Sequence, residues 1–315
     1  MSGRESLARA PTLRERYGDL LFRGLARCSA VAVVAMLALL VLELGLSAWP
    51  AIREHGVTLF MTSVWDPSAG VFGVLPEIWG TLYTSGLALV IGGSLGVAIA
   101  VFLSEGMLPR PLALFVGRVV ELLAAIPSVV YGLWGVFVII PLVRPVSEAL
   151  HGALGFVPLF ASPLYGPGIL PASLVLAIMI LPTVAAVSLD ALRAVPLRMR
   201  EAALGMGATR WEAIGHVILP AAKRSIFGAL VLALGRALGE TMALAMLVGN
   251  VGQITLSLFS PANTLAALLA LNFPEAGEEE VAALMYAALV LLAITLAVNL
   301  AGAALVRDAA GEARR

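Results

Sequence analysis

The sequence predicts an all-α, polytopic membrane protein with six transmembrane helices, on three observations. Apolar residues make up 60% of the 315 and charged residues 13%, against roughly 25% charge in a soluble globular domain. Six stretches are long and apolar enough to cross a bilayer, and nearly all basic residues outside them fall on one side. The formal net charge is zero, so no bulk field points to nucleic acid. The single cysteine, Cys28, excludes an internal disulfide, and His55, His151 and His216 lie in three separate segments without metal-ligand spacing.

A membrane helix needs about 20 consecutive, mostly apolar residues, which residues 29–49, 78–103, 115–142, 169–189, 225–248 and 281–306 supply. The first stretch reads as a retained helix and not a signal peptide: its polar leader of 28 residues is long, "SAWPAIR" is a poor cleavage site, and five spans follow. Pro127 in "AAIPSVVYG" and Pro182 in "MILPTVAAV" predict kinks rather than breaks. Residues 143–168 are apolar enough for a seventh span. Their prolines at 145, 158, 163 and 167, with four glycines, would strand backbone groups in lipid, so an external loop is expected.

Arginine and lysine concentrate in cytoplasmic segments of membrane proteins. Arg4, Arg9, Arg14, Arg16, Arg23 and Arg27 precede the first span, and Arg193, Arg198, Arg200, Arg210, Lys223 and Arg224 lie between the fourth and fifth. With Arg110, Arg118, Arg307, Arg314 and Arg315, 17 of the 20 basic residues share a side. Both termini are therefore expected in the cytoplasm. The predicted organisation is a cytoplasmic segment 1–28, a peripheral first helix 29–49, a periplasmic loop 50–77, a transmembrane core 78–306 and a cytoplasmic tail 307–315. Loops 143–168 and 249–280 are expected outside.

Within the core, the cytoplasmic loop 190–224 reads "DALRAVPLRMREAALGMGATRWEAIGHVILPAAKR". Ala203, Met206, Trp211, Ile214 and Ile218 recur at helical spacing, which predicts an apolar face, with Arg198, Arg200, Arg210 and Glu212 elsewhere on the surface. Gly205 and Gly207 should divide the segment into two short helices joined by a turn. By pattern alone it is equally an ordinary surface helix or a docking element.

The fifth span contains "LGRALGETMALAM", with Arg236 and Glu240 one helical turn apart. Each charge at mid-membrane costs about 2.5 to 3.5 kcal/mol on insertion scales, so such residues face a protein interior or a watered path. Gly235 and Gly239 form a small-residue row that would admit a neighbouring helix closely. Two readings stay open: an internal salt bridge that fixes packing, or a face lining a transport path. In an anion path Arg236 would offer permanent charge and planar donors, and Glu240 would keep the empty path from trapping anions. Arg118, Glu121, Glu43 and Asn299 suit structural roles better. Thr81, Thr84 and Ser85 suit either a path or bonds to their own helix. Glu275 and Glu278 to Glu280 suit a solvated outer loop.

Glu201-Ala202-Ala203, Gly207 four residues on, and Val217-Ile218-Leu219-Pro220 resemble the "EAA" signature of bacterial ABC importer permeases, with Val217 in place of the usual isoleucine. The resemblance implies a type I importer permease fold in which this segment docks an ATP-binding subunit through Glu201, Ala202, Ala203, Gly207, Leu219 and Pro220. From about residue 20 onward the chain is similar to the permeases of phosphate-specific ABC importers, notably in "GRALGETMALAMLVGN", "ELLAAIPSVVYGLWGVF" and "VLAIMILPTVAAV". Of the two homologous permeases such importers pair, "ALGRALGETMA" is like one, whereas the other reads closer to RAIGETAP. By that resemblance Arg236, Glu240 and the adjoining Thr241 line the phosphate path.

The implied partners are a second permease, a dimer of ATP-binding subunits, a periplasmic phosphate-binding protein and membrane lipid, with no nucleic acid. No cofactor is expected on this chain. ATP and Mg belong to the partner ATPase, because the only lysine, Lys223, lies between Ala222 and Arg224 and cannot serve a Walker loop. The implied location is the bacterial inner membrane. The alternatives are a permease for sulfate or molybdate, a membrane enzyme using Glu240 as acid or base, a passive channel, and a homodimer.

Overall fold

Six helices of the computed structural model are long and apolar enough to cross a membrane. It describes the backbone of residues 13–312 and the side chains of residues 17–305. Arg4, Arg9, Arg314 and Arg315 fall outside the described residues, as do the side chains of Arg14, Arg16 and Arg307. In chain order the crossing helices are α1 (Leu13–His55), α2 (Leu75–Ser104), α4 (Ser128–Leu154), α5 (Ile169–Arg193), α7 (Arg210–Leu238) and α10 (Glu278–Glu312). Between them lie α3 (Arg110–Ala125), α6 (Leu197–Gly205), α8 (Met242–Leu247) and α9 (Leu265–Asn272). An antiparallel ribbon, β1 (Trp65–Asp66) on β2 (Val71–Phe72), fills the first loop. Its turn closes on Gly70 at φ 64°, and Asp66 accepts hydrogen bonds from the Ser68 and Ala69 amides.

Helix α5 is the axis of the bundle. The most apolar stretch of α5 is 67% buried within this chain, that of α1 0%. Val175, Leu176, Ile180 and Val184 of α5 meet Ala88 of α2, Tyr131 and Ile139 of α4, Ala233 and Ala237 of α7, and Leu244 and Leu247 of α8. Helix association in lipid depends on close packing, because lipid tails are as apolar as leucine. The sequence supplies that closeness with glycine: a Cβ on Gly92 would lie 2.4 Å from the Ala177 carbonyl oxygen, and one on Gly96 2.8 Å from Val184 Cβ. A second cluster joins Leu59, Phe72 and Val74 to Leu265 of α9 and Leu284 of α10. Helix α1 packs along α10 and is otherwise almost wholly exposed over its described side chains.

Three expectations about helix boundaries are corrected. Pro127 breaks the third predicted span instead of kinking it: Ile126 is extended at ψ 128° and caps α3, and α4 starts at Ser128. Proline disfavours helical backbone in the residue before it. The third span therefore runs over 128–154, so the first half of the expected external loop 143–168 is helix, with Pro145 inside it. The fifth span runs from Arg210 to Leu238 and not over 225–248. Pro182, by contrast, lies within an unbroken α5.

Two prolines are accommodated by wide turns. A π-turn at Gly135–Ile139 comes just before Pro141, and another at Ile214–Ile218 just before Pro220. A proline ring clashes with the carbonyl four residues back, and an i→i+5 turn relieves that crowding without ending the helix.

Candidate translocation site and docking segment

Arg236 projects from the last turn of α7, with Nη1 3.5 Å from the Thr183 hydroxyl of α5. Thr183 is 14 residues from one end of α5 and 10 from the other, or about 21 and 15 Å at 1.5 Å per residue. The guanidinium therefore lies beside the middle of α5, although Arg236 itself stands two residues from the end of α7. It is exposed on the surface of this chain, and the ion pairs among the described residues are Asp19–Arg23, Arg118–Glu121 and Glu105–Arg200. An unpaired charge at that depth does not face lipid.

The expected helical pair of Arg236 and Glu240 does not form. Helix α7 ends at Leu238, Gly239 follows at φ −94°, ψ 3°, and Glu240 accepts the Ala243 amide at 3.4 Å across the start of α8. The salt-bridge reading fails with it. Thr241 donates to the Gly239 carbonyl at 3.2 Å, which stabilises the same break. The small-residue row is half realised: a Cβ on Gly235 would meet Asn299 Oδ1 of α10 at 2.9 Å, whereas one on Gly239 would meet only the Gly235 and Arg236 carbonyls of α7, at 3.9 and 4.0 Å.

Thr81 and Thr84 donate to the Glu77 and Gly80 carbonyls of their own helix, and Ser85 is buried without a hydrogen-bond partner among the described residues. Arg118 and Glu121 pair with each other on exposed α3, Glu43 is exposed on α1, and Glu280 accepts from Trp65 Nε1 at 3.2 Å. Sequence reading missed Thr183, although it follows Pro182 directly. It also missed Glu77, a buried carboxylate near the start of α2 whose Oε1 is 3.5 Å from Asn263 Nδ2. The signal was an acid within "VLPEIWG", hidden because the span was expected to begin at 78.

Segment 190–224 divides as expected. Helix α6 ends at Gly205, Gly207 turns at φ 87°, and Thr209 with Glu212 forms a capping box that starts α7. The second part is not short, since it continues into the fifth span through Leu219 and Pro220. Ala203, Ile214 and Ile218 are buried, but Met206 is 84% and Trp211 62% exposed, so the predicted single apolar face is wrong. The turn separates the helical registers, and both large side chains point outward. Glu201, Ala202, Gly207 and Pro220 are also exposed, whereas Ala203 is buried and Leu219 partly so. Gly207→Ala should cost about 1–2 kcal/mol, because a left-handed backbone crowds Cβ. The cost should appear as a lowered thermal midpoint of the detergent-purified protein.

A six-span bundle built around α5, with an arginine beside the middle of α5 that makes no ion pair among the described residues and a helix–turn–helix tip at one end, has the architecture of an integral membrane transport subunit. Residues 92–310 match the family described as "Binding-protein-dependent transport system inner membrane component". The chain belongs to that family. It is 40% identical over 283 residues to the "Phosphate transport system permease protein PstC" of Mesorhizobium japonicum, covering 88% of this chain and 86% of that one. It is likewise 40% identical over 285 residues to the protein of that name in Haemophilus influenzae, covering 88% and 89%. Among solved structures, it resembles a chain of a bacterial alginate ABC transporter with TM-score 0.60 at 17% identity, over 91% of this chain and 95% of that one. A chain of the MetNI methionine ABC transporter matches with TM-score 0.56 at 20% identity, over 78% and 99%. These two likenesses show the fold, that of ABC importer permeases.

Proposed function

We propose that this chain is the permease subunit of an ATP-driven importer of inorganic phosphate, and that it forms half of the path and docks the ATPase through residues 190–224. The observation that carries the path is Arg236, an exposed guanidinium beside the middle of α5 that has no carboxylate partner among the described residues. Its planar fork suits a tetrahedral oxyanion, and the relatives named PstC supply the identity of that anion. A second permease closes the path over Arg236 and screens it from lipid. Glu240 stands beyond the end of α7, where its negative charge favours release.

In this reading a periplasmic binding protein delivers phosphate to the outer face. Paired ATP-binding subunits, which hold ATP and Mg, engage the exposed Glu201, Ala202, Met206 and Trp211 from the cytoplasm. The basic residues of 1–28 and 190–224 set both termini on that side. No bond of phosphate is made or broken by this chain.

The test is labelled phosphate uptake into vesicles that hold this chain with its partner permease, ATPase and binding protein. Uptake that requires ATP and resists competition by sulfate and molybdate is expected. Uptake without ATP would indicate a channel, and preferential transport of another oxyanion would reassign the substrate. Glu240→Gln keeps the oxygen that caps α8 and loses the charge, so the maximal rate should fall roughly tenfold, with phosphate held longer, while folding is preserved. An unchanged rate would reduce Glu240 to a helix cap.

A further inference from the structure

Of the ion pairs among the described residues, Arg200–Glu105 alone is removed from solvent: its side chains are 18% and 12% exposed, against 56% or more in the other two. Expectation placed Arg200 on the open surface of the docking segment. The structure turns it inward. Its Nη1 lies 2.9 Å from Glu105 Oε1, and its Nη2 donates to the Leu192 carbonyl at 2.7 Å. Glu105 is the residue that caps the end of α2, and its carboxylate also accepts from Ser104 at 3.2 Å. Leu192 lies in the last turn of α5, and its carbonyl accepts the Val195 amide at 3.3 Å as well as the Arg200 guanidinium. One guanidinium on α6 thus holds the ends of two other spans.

The apolar packing here holds α2 against α5 and α7, and the ion pair is what ties α2 to α6 directly. The cluster at this end of the bundle draws Ala100 and Val101 from α2, Leu192 from α5, and Ile214, Ile218 and Ala222 from α7, and no residue of α6 belongs to it. A cavity of about 210 Å³ lies there instead, bordered by Glu105, Leu197, Arg200, Leu204 and Ile214. Spans α5 and α7 are joined to α6 by the chain itself, through residues 194–196 and 206–209. Span α2 has no such link.

We infer that Arg200 is a positioning residue: with Glu105 it forms a strut that makes span α2 follow the docking helix α6, so that ATPase movement shifts α2, α5 and α7 as one body. Two bonds in different directions from a planar group restrain rotation as well as distance, which a lysine ammonium does less well. This inference rests on the reading of 190–224 as the ATPase-docking segment.

The test uses the complete importer in liposomes with Arg200→Gln, Glu105→Gln and the double variant. ATP hydrolysis should stay within about threefold of wild type, and phosphate moved per ATP should fall tenfold or more in each single variant. The double variant should be no worse than either single one, as for two ends of one contact. Proportional loss of hydrolysis and uptake, single effects that multiply in the double variant, or an unchanged ratio would each overturn the strut. Arg200→Lys, which retains the charge and is the safest for folding, should give an intermediate ratio.

A second readout needs no substrate. Spin labels at the exposed positions Leu95 of α2 and Leu197 of α6, introduced as cysteines with Cys28→Ser, should report one distance with and without ATP in the wild type. In Arg200→Gln that distance should change with ATP, and if it stays as in the wild type the strut is excluded. Should the wild-type importer move no phosphate, the substrate reading falls and the label distances still decide the strut.

Discussion

Arg236→Gln lowers ATP-driven phosphate uptake about 100-fold or more while the importer still assembles: this is the larger of two expected effects. A hydrogen bond to a charged group is worth about 1.5–3 kcal/mol, and each 1.4 kcal/mol is tenfold. Glutamine loses the charge and most of the five donors, so two such bonds to a passing oxyanion account for the loss. Assembly survives because the only side-chain contact described for Arg236 is the 3.5 Å approach to Thr183. Arg236→Lys keeps a point charge without the fork and should fall between the two. The measurement is initial uptake at matched membrane abundance, beside co-purification of the partner subunits. Full uptake by Arg236→Gln would remove this residue from the path, and loss of both uptake and co-purification would make it a packing residue.

Gly92→Val should remove most of the folded protein from the membrane. The new Cβ would lie 2.4 Å from the Ala177 carbonyl oxygen and 2.9 Å from its Cα. Both are backbone atoms of the central helix, so no side chain can rotate away. Overpacking typically costs about 1–3 kcal/mol, and more where backbone must move, a large share of a typical stability of about 5–15 kcal/mol. Gly228→Ala in α7 is the matched control, since nothing lies within 4 Å of its added carbon and alanine is the better helix former by about 1 kcal/mol. Thermal midpoints in detergent should separate the pair, with the first lowered and the second equal or raised. Equal midpoints would mean that α2 does not pack on α5 through Gly92.

Much of the architecture was legible in the residues. Hydropathy located six spans, because bilayer thickness sets a length that no short apolar core helix meets. The turn at Gly205 and Gly207 was legible because a positive φ at Gly207 is a local property of glycine. The resemblance of segment 190–224 to the signature of importer permeases rested on the spacing of Glu201, Gly207 and Pro220.

Other features depended on contacts between distant residues. Pro127 ends a helix, Pro182 sits inside one, and Pro220 follows a wide turn, yet all three look alike in an apolar string. What separates them is whether neighbouring helices and local π-turns can accommodate the carbonyl a proline leaves free, which only packing decides. The spacing of Arg236 and Glu240 predicted a helical pair, and the break after Leu238 parts them. Met206 and Trp211 carry an apolar periodicity whose direction is set by the turn between them. Arg200 looked like one more surface charge until Glu105, 95 residues earlier, came within 2.9 Å. Composition and local propensity alone determined that this chain spans the membrane six times and that residues 190–224 turn at Gly205 and Gly207. Only the tertiary structure decided which charges are paired, which stand open at mid-span and where the helices break, because those outcomes depend on which backbone and side-chain groups meet across the bundle.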